Sequence, residues 1–149
     1  NKPIWRIFPD FVKSYPQYEK MGVKDLCQAI HATYKKYNIA HTLHDMYVKP
    51  IVPAMTPAEA WGRVAHRKVT RVNVRDLTTQ HVTGVLLTPY PPGIPLLIPG
   101  EYMTQEVIDY LHFTLEFNTQ FPGFEQSAHG LIKNTVNGQL EYFIDCVEV

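Results

Sequence analysis

The chain has 149 residues, 45% of them hydrophobic and 19% charged, a balance that fills one well-cored domain and excludes a disordered chain. Lys+Arg and Asp+Glu each number 14, so the basic excess that nucleic acid or an anionic membrane surface would select is missing. No apolar run approaches the roughly 18 residues that span a bilayer. The two cysteines, Cys27 and Cys146, sit in patterned apolar positions, as reduced core residues of a cytoplasmic protein do.

In chain order, the sequence opens at Asn1 with neither an initiator methionine nor a signal-like region. This reads as a fragment or C-terminal domain of a longer polypeptide. Residues 1–54 have the character of a helical linker or docking segment, and residues 55–149 that of an α+β domain. Trp5, Ile7, Phe8, Phe11, Val12 and Tyr15 crowd among prolines near the start. Pro9 is suited to open a short helix with Phe8, Phe11, Val12 and Tyr15 on one face. So dense an aromatic run must lie against the domain itself or a neighbouring one.

Val23, Leu26, Cys27, Ile30, Tyr34 and Tyr37 repeat at helical spacing, which predicts an amphipathic helix of about four turns. A weaker helical stretch covers residues 39–48 and is ended by Pro50 and Pro53. Thr56-Pro57-Ala58-Glu59 is a capping box with proline at the first helical position. The short helix it opens runs to about His66 and offers Ala60, Trp61 and Val64 for burial. Val69, Val72 and Val74 predict a strand, with Arg71, Asn73 and Arg75 toward water. Residues 82–88 predict another, and its run Val85-Leu86-Leu87 suits a strand covered on both faces.

That strand feeds residues 88–101, Thr-Pro-Tyr-Pro-Pro-Gly-Ile-Pro-Leu-Leu-Ile-Pro-Gly-Glu, the segment around which the rest of the chain is expected to be organised. Five of its 14 residues are proline and two are glycine. Each proline holds φ at about −65°, removes a backbone donor and drives its predecessor toward extended geometry. The segment is therefore a stiff loop, packed through Leu96, Leu97 and their apolar neighbours. With Tyr90 at its turn and Glu101 at its exit, it is either a platform presenting a few groups or a corner between two strands. Pro92, Gly93 and Pro95 would be its conformational supports.

Thr104 is placed to cap a helix with Glu106 in its first turn and Val107, Ile108, Leu111 and Leu115 as its apolar stripe. Phe121-Pro122-Gly123 stops it. The chain ends in a hairpin, residues 131–135 and 139–147 flanking Asn137-Gly138, a type I′ turn signal. We expect an α+β fold: helices packed on a small, mainly antiparallel sheet, with this C-terminal hairpin at one edge.

Signals of chemistry are sparse. His41 and His44 share a helical face, but no third ligand falls at familiar zinc spacing. His112 interrupts the last helix as an exposed group or a core hydrogen-bonder. His129 precedes Gly130 at the entry to the hairpin, where a side chain–backbone bond fixing the turn is the simpler account. The glycines are scattered, so no phosphate loop or dinucleotide fingerprint can be drawn, and no G-x-S-x-G occurs. Taken alone, this is not the sequence of a complete enzyme.

The run Pro89-Tyr-Pro-Pro-Gly-Ile-Pro-Leu-Leu-Ile-Pro-Gly-Glu101 resembles the signature of the C-terminal domain of bacterial ornithine/lysine/arginine decarboxylases. Met21-Gly-Val-Lys-Asp-Leu-Cys27, Met55-Thr-Pro-Ala-Glu-Ala60, and Phe121-Pro-Gly-Phe-Glu125 with His129-Gly130 resemble family segments in the same order. The resemblance implies a fold-type-I parent enzyme that uses pyridoxal phosphate as an electron sink. It converts a basic amino acid into a polyamine-type amine and CO₂, with lysine or arginine favoured and ornithine possible. The family's Schiff-base lysine stands in a Ser-x-His-Lys context, which His66-Arg67-Lys68 does not match. The cofactor-binding domain is therefore expected N-terminal to Asn1, and this chain alone should neither hold the cofactor nor turn over. The resemblance further implies a homodimer or higher homo-oligomer with the active site at a subunit interface. Tyr90 and Glu101 are then the substrate-channel candidates, Glu101 having an equal claim as a helix-entry or interface salt bridge. The competing class is a stand-alone, non-catalytic interaction or regulatory module on the same fold, distinguished by the absence of an upstream cofactor domain.

Overall fold

The computed structural model describes all 149 residues. Helices α1 (Ile4–Ile7), α2 (Pro9–Ser14), α3 (Val23–Lys36), α4 (Ile39–Val48) and α5 (Pro57–Ala65) occupy the first half. Strands β1 (Val69–Asn73), β2 (Val82–Thr83) and β3 (Thr88–Tyr90) precede helix α6 (Gln105–Gln120). Strands β4 (Ser127–His129), β5 (Ile132–Val136) and β6 (Gln139–Val147) close the chain. This is the α+β class that the sequence predicts. No helix is long and apolar enough to cross a membrane.

The ends of these elements follow local chemistry. Pro9 stands at the first position of α2. Thr56 and Glu59 cap α5 reciprocally: the Thr56 N–H donates to the Glu59 carboxylate at 2.8 Å and the Glu59 N–H to the Thr56 hydroxyl at 3.3 Å. The Thr104 hydroxyl accepts from the Val107 N–H and starts α6. Asn137 and Gly138 both take positive φ (51° and 77°), as the type I′ turn between β5 and β6 demands.

Strand β6 is the spine of the main sheet. It pairs antiparallel with β1 along one edge (Val72↔Ile144), and with β2 (Thr83↔Cys146) and β5 (Thr135↔Leu140) along the other. The C-terminal hairpin thus contributes an edge strand, β5, and the central strand to which the rest of the sheet is attached. Tyr142, Ile144 and Cys146 point from one face of β6 into the core. Burial pushes the Cys146 thiol up to about 12, the desolvation cost of a thiolate among apolar neighbours.

A single cluster of buried side chains runs from Ile4 to Cys146. Its centre is α6 and not the proline-rich segment. Beyond the predicted stripe, Tyr110, Phe113, Phe117 and Asn118 are also buried on this helix, because it packs between α4, β6 and the turn at Val74–Asp76. Such a helix is apolar on more than one face.

Three other expectations are corrected. The predicted strand 82–88 pairs with β6 only at Val82 and Thr83. The Thr83 hydroxyl donates to the Val85 carbonyl at 2.8 Å and accepts from the Val85 N–H at 3.1 Å; this local bonding turns the backbone off the ladder and leaves Leu86 exposed. Cys27 is exposed, one step off the Leu26 and Thr33 side of α3 that faces the core. Trp61 is 69% exposed while its neighbour Ala60 is fully buried, since α5 covers the sheet with one narrow face. In the aromatic N-terminal run, Phe11 packs on Tyr15, Tyr18 and Phe124, whereas Trp5 and Phe8 stay exposed.

Candidate functional site: the proline-rich loop

The loop after β3 is tied at its entry, neck, exit and tip. At its entry, β3 pairs antiparallel with β4, Thr88 facing His129 and Tyr90 facing Ser127. His129 is itself exposed, so backbone pairing, not the imidazole, organises this corner. At the neck, the Leu87 N–H donates to the Leu97 carbonyl at 3.0 Å and the Leu96 N–H to the Leu87 carbonyl at 2.8 Å. Leu96 and Leu97 are buried there. At the exit, the Gly100 carbonyl accepts from the N–H groups of Ala54 and Met55. Gly100 has φ +96°, and a Cβ on it would sit 2.5 Å from the Met55 carbonyl oxygen, so only glycine fits.

The tip contains two cis peptide bonds, Tyr90–Pro91 and Pro91–Pro92. It closes where the Gly93 N–H donates to the Pro89 carbonyl at 2.8 Å. Gly93 has φ +80° and packs against the Tyr90 ring: an added Cβ would be 3.2 Å from the ring's Cε1. The ring is thus seated on the turn while Tyr90 remains 54% exposed. Its phenol, both donor and acceptor, has no hydrogen-bond partner within the domain. Pro92 and Pro95 are exposed flanks of the same turn, where their restricted φ limits the alternatives open to the tip.

Glu101 lies at the other end of the loop. Its carboxylate accepts from the Ile98 N–H at 2.8 Å, and its backbone pairs with Pro53 and Thr83. The side chain therefore closes the last turn of its own loop, and no ion pair within the chain uses it. The structure does not bring Glu101 and Tyr90 together; the Leu87–Leu97 neck lies between them.

Two features here escaped the sequence. Tyr47, in the last turn of α4, donates its hydroxyl to the Ile94 carbonyl at 3.2 Å, and only an aromatic in a weakly patterned helix marked it. Thr88 is 3% exposed and its hydroxyl is the one buried side-chain polar atom left without a partner. Thr88→Val keeps the shape and removes a group that gains nothing from folding. Thermal unfolding of this variant is expected at or slightly above the wild-type Tm; a loss of several degrees would show a bond at that hydroxyl.

Elsewhere the polar groups are engaged with each other. A groove of about 410 Å³ is lined by Tyr37, Arg75, His112 and Glu116. Glu116 accepts from Lys36 and from the Tyr37 phenol, Arg75 pairs with Glu141, and His112 bonds the Val74 carbonyl at 2.9 Å. Burial, then the Glu116 contact, pushes Tyr37 up to about 12; Lys36 and then Tyr37 hold the Glu116 carboxyl below its usual value. These contacts fasten α3 and the Val74–Asp76 turn to α6, and that turn to β6. His41 sits 3.2 Å from Asp45, and no three His, Cys, Asp or Glu side chains gather as a metal site.

The family model for the C-terminal domain of Orn/Lys/Arg decarboxylases matches residues 40–148. The chain belongs to that family. Lysine decarboxylase LdcA of Pseudomonas aeruginosa is 33% identical over 152 residues, an alignment covering 99% of this chain and 20% of the relative. The constitutive lysine decarboxylase of Escherichia coli K12 is 33% identical over 134 residues, covering 87% and 19%. The biodegradative arginine decarboxylase of the same strain is 31% identical, covering 87% and 18%. The solved lysine decarboxylase A from Pseudomonas aeruginosa superimposes on this chain with a TM-score of 0.90 at 33% identity, covering 99% of this chain and 20% of that one. The decarboxylase C-terminal domain thus spans about a fifth of the length of these relatives. Of the segments that carried the resemblance, Met55 docks on Gly100 and His129 pairs with Thr88: they converge on the proline-rich loop.

Proposed function

We propose that this domain completes the substrate channel and the oligomer interface of a pyridoxal-phosphate-dependent decarboxylase of basic amino acids, with Tyr90 as the group it offers to substrate. The observation that carries the reading is the Tyr90 phenol, seated on a rigid turn yet unpartnered and exposed. A preorganised hydroxyl of this kind can accept from a substrate ammonium without paying further ordering entropy. Glu101 is a weaker candidate because its carboxylate already holds the Ile98 N–H; it would face a cationic side chain only through its remaining lone pairs.

Pyridoxal phosphate does not fit the residues of this chain. Lys68, the lysine nearest the family pattern, is exposed on the turn between α5 and β1, and no glycine-rich segment cradles a phosphate. In this reading the cofactor belongs to an N-terminal domain of the same polypeptide, against which residues 1–54 help to dock residues 55–149. This chain by itself is then inactive, and the assembled cytoplasmic enzyme is a homodimer or larger. Lysine or arginine is the favoured substrate in this reading, with ornithine the third to be tested.

The test is steady-state decarboxylation of lysine, arginine and ornithine by the full-length parent, wild type against Tyr90→Phe. Loss of one hydrogen bond to a charged group is expected to lower kcat/KM for the preferred substrate by about tenfold or more. Unchanged kinetics would remove the phenol from the reaction and leave the loop a structural corner.

A further inference from the structure

The geometry points to Tyr47 as the positioning residue for the Tyr90 loop, an assignment that rests on the reading of Tyr90 above. The tip is tied within itself by the Gly93–Pro89 hydrogen bond, but that bond does not fix where the tip sits against the body of the domain. Ile94 and Pro95, which lead back toward the neck, are exposed. The Tyr47 hydroxyl reaches across 47 positions of sequence to the Ile94 carbonyl at 3.2 Å. It is the one side chain outside the loop that hydrogen-bonds the backbone of residues 90–95.

The strut itself is firmly mounted. Met46, beside Tyr47 on α4, is 2% exposed, and Ile39 at the start of the helix is also buried. Lys49, just past the helix end, pairs with Asp45 on α4 and with Glu106 in the first turn of α6. Tyr47 therefore carries the position of the helical core to the residue next to Gly93, on which the Tyr90 ring rests. A hydroxyl donating to a carbonyl from a fixed helix restrains the loop in one direction without covering the Tyr90 phenol.

The test is a double-mutant cycle in the full-length parent enzyme, using Tyr47→Phe, Tyr90→Phe and both together. Tyr47→Phe keeps the ring and loses only the tether, so Tm should stay within a degree or two while kcat/KM falls by about three- to fivefold. If Tyr47 acts through Tyr90, the double variant should match Tyr90→Phe alone, since there is no longer a phenol to position. Multiplying losses would overturn the assignment by showing that Tyr47 acts on its own. So would full activity in Tyr47→Phe beside a reduced Tyr90→Phe. An unimpaired Tyr90→Phe would sink the underlying reading, and the positioning role with it, which keeps the two failures apart.

Discussion

Phe113→Ala is expected to lower the unfolding free energy of this chain by about 3–5 kcal/mol. Phe113 is 1% exposed in the middle of α6. Its ring meets those of Tyr34 at 5.4 Å, Phe117 at 5.5 Å and Tyr37 at 5.7 Å between centroids, and that of Tyr110 at 6.2 Å. Truncation loses the transfer free energy of a large ring and leaves a cavity that two helices, α3 and α6, would both have to move to fill. It also loses the tilted aromatic contacts, each contributing about 0.5–1.5 kcal/mol beyond burial. Phe113→Leu, which keeps most of the volume, should cost less than half as much. Urea unfolding followed by near-UV circular dichroism measures both, and equal losses for Ala and Leu would refute the cavity argument.

Asn118→Ala should be nearly as damaging, by a different route. Asn118 is 3% exposed. Its amide nitrogen donates to the Gln126 carbonyl and to the Tyr142 hydroxyl, both at 2.8 Å, while its oxygen accepts from the Gln126 N–H at 2.6 Å. One amide thus joins α6 to β6 and to the segment entering β4. Removing it strands a backbone N–H, a backbone carbonyl and a phenol in a mostly buried setting. At about 1–3 kcal/mol for a buried group left unpaired, with partial rescue by water, a loss of about 3 kcal/mol is expected. Tyr142→Phe removes one of those partners and should cost about 1 kcal/mol. Were Asn118→Ala as mild as Tyr142→Phe, water would be reaching the site and the amide would not be the joint described.

The joint at Asn118 also bears on the proposed function. Gln126 immediately precedes β4, and β4 is the strand that pairs with the entry of the Tyr90 loop. The core helix is therefore linked to the loop from two sides, through Gln126 and β4, and through α4 and Tyr47. A site intended to hold one phenol in place benefits from such support.

Much of this protein is determined by its sequence alone. The Thr56–Glu59 capping box, Pro9 at a helix start, Thr104 before α6 and the Asn137-Gly138 turn all form as predicted, since each is settled by atoms a few residues apart. The proline run is a stiff loop for the same reason, and its residues with three ordered segments were specific enough to identify the family. The tertiary structure decided what depends on distant partners. Helix α6 is buried on more than one face because α4 and β6 arrive from either side of the sequence, and periodicity within the helix could record only part of that. Val85-Leu86-Leu87 has the composition of a strand, yet the hydroxyl bonding of Thr83 turns the chain away, and from Phe143 that edge of β6 is already taken by β5. Cys27 and Trp61 have the spacing of core residues, but the surfaces that meet α3 and α5 are too narrow to cover them. Tyr47 reaches Ile94 across 47 residues, a contact no local pattern encodes. Side chains bonded within a turn were legible; those whose role is set by long-range packing were not.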